Sequence, residues 1–145
     1  MLLFLLTINI AQSDPDIKDR AWENKVPLKV KICKGAPVKK QQVAESLDYW
    51  SHRFPTENIS IEEDADCPKW DYQTVQIMFD KNITKKHYGF SDVGTYNKDG
   101  KKYIHSVNVR LPNHLIVENN ITLKHELGHA LGLSHSDHGI MKSHY

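Results

Sequence analysis

The side chains most able to do chemistry in this 145-residue chain lie close together, at His125, Glu126, His129 and His135, with Gly132 and Met141 among them. His125 and His129 are four residues apart, so on an α-helix they share a face one turn apart, and two imidazole nitrogens can reach one metal at about 2.0–2.1 Å. His135 cannot join them on a continuing helix, because ten residues at about 1.5 Å each put it roughly 15 Å along the axis from His125. The helix therefore has to end between His129 and His135, and Gly132 stands where a residue tolerant of positive φ is needed. Three neutral imidazoles leave a fourth tetrahedral position open, the arrangement of a catalytic zinc site rather than a closed structural one. Glu126 follows the first ligand but projects off the ligand axis, where its carboxylate suits a base acting on zinc-bound water. The short H-E-x-x-H core alone is also compatible with two solvated histidines on a helix face. The extended pattern through His135 is far harder to reach by accident.

At this point the chain resembles a known group. H-E-L-G-H-A-L-G-L-S-H followed by a methionine is similar to the metzincin zinc peptidases, and Ser136 with the Gly139-Ile140-Met141 turn is most similar to their matrixin branch, the matrix metalloproteinase relatives. The resemblance implies that His125, His129 and His135 bind zinc, that Glu126 is the general base, and that Met141 forms a turn beneath the metal. It also implies a zincin-like α+β fold, a five-stranded mixed twisted sheet with a backing helix, an active-site helix and a short C-terminal Met-turn subdomain. Two features depart from the pattern. Only five residues separate His135 from Met141, fewer than matrixins typically carry, and Lys142-Ser143-His144-Tyr145 stands where the family usually has Tyr-Pro-x-Tyr and a further helix. Tyr145 matches the second of those tyrosines and is the candidate for one wall of the substrate pocket.

Composition bounds the setting. With 39% hydrophobic residues, 26% charged residues and a net charge of +1, the chain suits one globular domain able to bury its own core. That balance gives no electrostatic case for nucleic acid or an anionic membrane. Met1 to Ala11 is an apolar run shorter than the about 20 residues a membrane span needs, followed at once by polar sequence. We read residues 1–13 as a secretory signal, 14–25 as a linker and 26–145 as the metzincin-like catalytic domain, secreted and monomeric, with no stable membrane span once the signal is removed. Cys33 and Cys67 are the only cysteines. In an oxidising compartment they are expected to pair, closing a loop worth about 3–4 kcal/mol in the chain-entropy model; in a reducing one they would stay separate and buried.

The upstream elements must position the motif. Val26 to Ile32 alternates with period two, a strand with one buried face. From Val38 to Arg53, Val43, Ala44, Leu47 and Trp50 recur at helical spacing, with Phe54 just beyond. Ile59 to Ile61 reads as a short strand running into an acidic loop, Glu62 to Asp66, and Thr74 to Asp80 as a central, nearly apolar strand. Gly89 to Tyr96 and Tyr103 to Leu111 flank Asp99-Gly100, a strong hairpin signal. In the family such a hairpin's first strand is the sheet edge above the cleft, and substrate adds to it as an antiparallel strand. Asp92, Val93, Gly94, Thr95 and Tyr96 are the corresponding candidates here, against an ordinary exposed edge as the plain alternative. Asn119 or Asn120 is the expected N-cap of the motif helix, whose core face is Leu123, Leu127, Ala130 and Leu131.

Weaker signals also belong to the reading. A Ca2+ ion is conceivable at Glu62 to Asp66, or at Asp92, Asn97 and Asp99, but solvated turns account for these equally well. His87, His105 and His114 do not have the family's structural-zinc spacing. The expected function is peptide-bond hydrolysis on a protein or peptide substrate. The alternative is a secreted zinc-binding domain that holds peptides or an inhibitor without cutting, for which a retained Glu126 has no use.

Overall fold

A computed structural model describes residues 20–83, 89–112, 121–136 and 139–142. Eight principal elements follow in order: β1 (Arg20–Trp22), β2 (Lys29–Cys33), α1 (Lys40–Tyr49), β3 (Ser60–Ala65), β4 (Thr74–Phe79), β5 (Phe90–Lys98), β6 (Lys101–Leu111) and α2 (Ile121–Leu131). The class is α+β, with a mostly parallel sheet and two helices. β3, β2, β4 and β6 run parallel side by side, and β5 pairs antiparallel with β6. The sheet carries six strands rather than the expected five. The additional one is β1, which pairs with Lys102 to Ile104 of β6, just before the stretch of β6 that pairs with β4. Arg20–Trp22 falls inside the stretch 14–25 expected to be a linker, because three residues are too few for a period to show. Trp22 fixes them there: its ring is 2% exposed and its indole Nε1 donates to the Ala130 carbonyl at 2.7 Å.

Alternation decides which face of each strand is buried. Val30 and Ile32, Val75 and Ile77, and Val107, Val109 and Leu111 join Val43 and Leu47 of α1 with Leu123, Leu127 and Leu131 of α2 in one core. At the burial coefficient of about 25 cal/mol per Å2, each such aliphatic side chain contributes on the order of 1.5–3 kcal/mol. Several expected placements differ. Leu28, assigned to the buried face, is 60% exposed, because the strand begins only at Lys29. Ala44 is exposed while Ser46 is buried: α1 ends at Tyr49 and a turn of 3-10 helix then carries Trp50, so the buried stripe follows Val43 and Leu47. The acidic run is not a loop. Glu62, Glu63 and Asp64 lie in β3, an edge strand, where charge is tolerated and discourages pairing with other chains. Glu62 and Asp66 face Lys29 and Lys34 at 3.8 and 2.9 Å, and Asp92 binds Arg110 at 2.9 Å. Glu62, Asp66 and Asp92 thus have protein cations as partners, and among the described residues the group of His, Cys, Asp or Glu side chains close enough to share a metal ion is His125, His129 and His135.

The sheet face away from the helices is polar, with Gln76 and Asn108 buried under the segment 66–73. Gln76 Nε2 donates to the Pro68 carbonyl at 2.9 Å and Asn108 Nδ2 to that of Lys69 at 2.7 Å. A disulfide from Cys33 at the end of β2 to Cys67, with Cα atoms 5.7 Å apart, pins this strap at one end. The bridge spans a sequence separation of 34, for which the chain-entropy model gives about 3–4 kcal/mol. Replacing both cysteines by serine is expected to lower stability by about that amount in a urea titration. A loss under about 1 kcal/mol would mean that the strap's hydrogen bonds alone hold the loop. Among the described residues, no helix is long and apolar enough to cross a membrane.

Candidate metal centre

α2 is held in place before any metal is considered. Trp50 Nε1 donates to the Lys124 carbonyl at 2.8 Å, and Trp22 holds the Ala130 carbonyl at the other end of the helix. Leu123, Leu127, Ala130 and Leu131 are all at most 1% exposed, as their spacing implied. The N-cap candidates Asn119 and Asn120 lie outside the described residues.

The helix stops as the motif requires. Gly132 has φ +114°; its N–H donates to the His129 carbonyl at 3.0 Å and the Leu133 N–H to the Gly128 carbonyl at 2.9 Å. These are the two bonds of a Schellman termination with glycine at the left-handed position. A Cβ there would also come within 3.3 Å of the Arg20 carbonyl of β1. The chain reverses and brings His135 back to the helix.

The three ring nitrogens converge. His129 Nε2 lies 3.1 Å from His125 Nε2 and 3.0 Å from His135 Nε2, and the three residues form a group whose ligand atoms all lie within 4.8 Å of one another. For His125 and His129 the opposite ring nitrogen shows which tautomer the neutral ring takes. His125 Nδ1 sits 2.6 Å from the Ile140 carbonyl and His129 Nδ1 2.8 Å from that of Leu133. A carbonyl only accepts, so each Nδ1 carries the proton and each Nε2 presents a lone pair. Lone pairs facing each other at 3.1 Å repel unless a cation lies between them. A metal about 2.0–2.1 Å from each nitrogen needs them within about 4.2 Å of each other. On spacing, tautomer and donor chemistry, the residues fit a zinc ion. Burial holds the His125 imidazole below its usual range, with the Ile140 carbonyl pulling the other way.

The turn beneath the site spans Gly139–Met141. Met141 is 1% exposed, and its Sδ lies 2.5 Å from where a Cβ on Gly128 would stand, with Trp50 Cζ2 at 2.9 Å. Gly128, between the two ligand positions on α2, therefore has to be glycine for the methionine to sit against the helix. The same turn supplies the carbonyl that orients His125. That second role was not legible in sequence, since any residue at position 140 has a carbonyl.

Glu126 is 5% exposed and lodges between α2 and β5. Ser91 Oγ donates to its Oε2 at 2.6 Å, and a Cβ on Gly89 would come within 2.9 Å of its Cγ. Burial pushes this carboxyl up to about 7, against the downward pull of the serine hydroxyl. The sequence places Gly89 and Ser91 in the strand 89–96 but gives them no role beside Glu126. The only available signal was alternation, which puts Ser91 on the same face of β5 as the inward-facing Val93.

The remaining candidates scatter. Val93 packs on the core, Gly94 sits at a bulge against His105, and Thr95 pairs with Ile104. Asp92 faces Arg110, and the Tyr96 hydroxyl donates to Glu23, both on the sheet face away from Ser91. Among the described residues β5 pairs with β6 alone, so its outer edge offers unpaired backbone. The segment beside Glu126 is Gly89 and the beginning of β5 at Ser91, rather than Asp92 to Tyr96. Tyr145, His87 and His114 lie outside the described residues. His105 is on the far face, with Nδ1 2.6 Å from Ser106 Oγ, away from the metal centre. No protein-family model and no curated protein matches the chain.

Proposed function

We propose that this protein is a secreted zinc-dependent endopeptidase of zincin-like fold, similar to the matrixin branch of the metzincins. The observation that carries the reading is the convergence of three Nε2 atoms beside a buried carboxylate set against an edge strand. His125, His129 and His135 would hold the zinc, which when bound supplies Lewis acidity to polarise a carbonyl and acidify water. Ile140 and Leu133, through their carbonyls, keep two of the imidazoles in the ligating tautomer and orientation. Glu126 takes the proton of the attacking water and returns it to the departing amine, so no protein nucleophile is needed. The open edge of β5 would bind an extended peptide through main-chain hydrogen bonds, with little demand on its sequence. The disulfide is in keeping with an oxidising, extracellular setting.

The test is incubation of the zinc-loaded protein with unfolded casein. Fragments should appear, stop with a chelator and resume on adding zinc. Zinc bound at one per chain with casein left intact would favour a peptide-binding domain without turnover.

A further inference from the structure

We infer that Ser91 is a positioning residue for Glu126, fixing through its hydroxyl which carboxylate oxygen is presented to the substrate. The inference rests on the peptidase reading. Ser91 Oγ is 2.6 Å from Oε2 of Glu126 and 3.3 Å from the Glu126 carbonyl, and one hydroxyl proton serves one short bond. Among the described residues, no other side-chain donor is hydrogen-bonded to this carboxylate. The Glu126 side chain has three rotatable bonds, so burial alone leaves it several orientations. The hydrogen bond from β5 selects among them. The hydroxyl holds Oε2, and the absent side chain of Gly89 makes room for the glutamate's Cγ and Oε1, which would lie 2.9 and 3.2 Å from a Cβ there. With Oε2 engaged by the serine, Oε1 is the oxygen left to accept the proton from water. The strand that would bind the peptide thereby also orients the base, so the spacing between scissile bond and base is set within one element, β5.

A strand is a suitable place for such a donor, because Ser91 is fixed on its inward face by pairing with Val109 of β6. A hydrogen bond to a charged group that holds its orientation has the strength to change the rate by about 10- to 100-fold. Substrate binding does not pass through it.

The experiment compares Ser91→Ala and Ser91→Thr with the wild type as zinc-loaded proteins. Ser91→Ala should bind one zinc per chain and unfold at close to the wild-type temperature. Its kcat should fall about 10- to 100-fold, with KM within about twofold. Ser91→Thr, which keeps the hydroxyl, should recover most of the kcat. In crystals of the Ser91→Ala protein the Glu126 carboxylate should leave its place against β5 or divide between orientations. A carboxylate that stays in the wild-type position, or a Ser91→Thr protein as slow as Ser91→Ala, would overturn the inference. If the wild-type zinc protein does not cut peptides at all, the peptidase reading fails on its own, and the crystallographic comparison alone judges Ser91.

Discussion

Glu126→Gln is expected to lower casein cleavage by about 10²- to 10⁴-fold, the usual worth of a positioned acid–base group, while one zinc per chain remains bound. The substitution is informative because so little else changes. Glutamine has the same shape, so it fits the space beside Gly89, and its amide oxygen can still accept the Ser91 hydroxyl. None of the three ring nitrogens is touched, so metal content and thermal stability should match the wild type. What is lost is a group able to take a proton from water and return it to an amine. Metal analysis and steady-state kinetics on the same preparation check the result. Turnover within about tenfold of wild type would remove Glu126 as the base.

His135→Ala is expected to lose zinc, with affinity lowered by more than about 100-fold. Altering only a group that hydrogen-bonds to a metal ligand already costs about 10- to 100-fold, and here a ligand itself is removed, leaving two. His135 is the exposed member of the three and lies beyond the end of α2, after the chain reversal at Gly132, so its removal should leave α2 and the core intact. Competition with a coloured chelator measures the affinity. The stabilisation zinc confers on the wild type, about 2.7 kcal/mol when free zinc is 100 times its Kd, should vanish in parallel. His105→Ala is the control. Its ring lies on the other side of the sheet with Ser106 and Trp70, so it should keep its zinc. A His135→Ala protein that still binds one zinc tightly would transfer the third ligand's place to Asp137 or His138.

How much of this was legible in the sequence depended on how local each constraint is. The motif helix, its apolar face and its stop at Gly132 follow from spacing within a few residues, because helical periodicity and glycine's access to positive φ act over one turn. The hairpin at Asp99-Gly100 was readable for the same reason: both residues have positive φ, as a tight I′ turn requires. The pairing of Cys33 with Cys67 was expected because no other cysteine is available. β1 was missed because three residues carry no periodicity; only the pairing with β6 and the burial of Trp22 make it a strand. The acidic residues of β3 read as a loop, since composition does not reveal that a strand lies at a sheet edge.

By itself, the sequence determined which residues can ligate a metal and that the helix bearing two of them must end before the third. Those are properties of a short stretch of backbone. Only the tertiary structure decided how the ligands are held and where the base points. The Ile140 carbonyl fixes the ring of His125, Trp22 and Trp50 fix the helix, and Ser91 and Gly89 shape the place of Glu126. Each is a contact between segments far apart in the chain or a bond to a main-chain atom common to every residue type. Neither kind of contact leaves a mark in residue type or spacing.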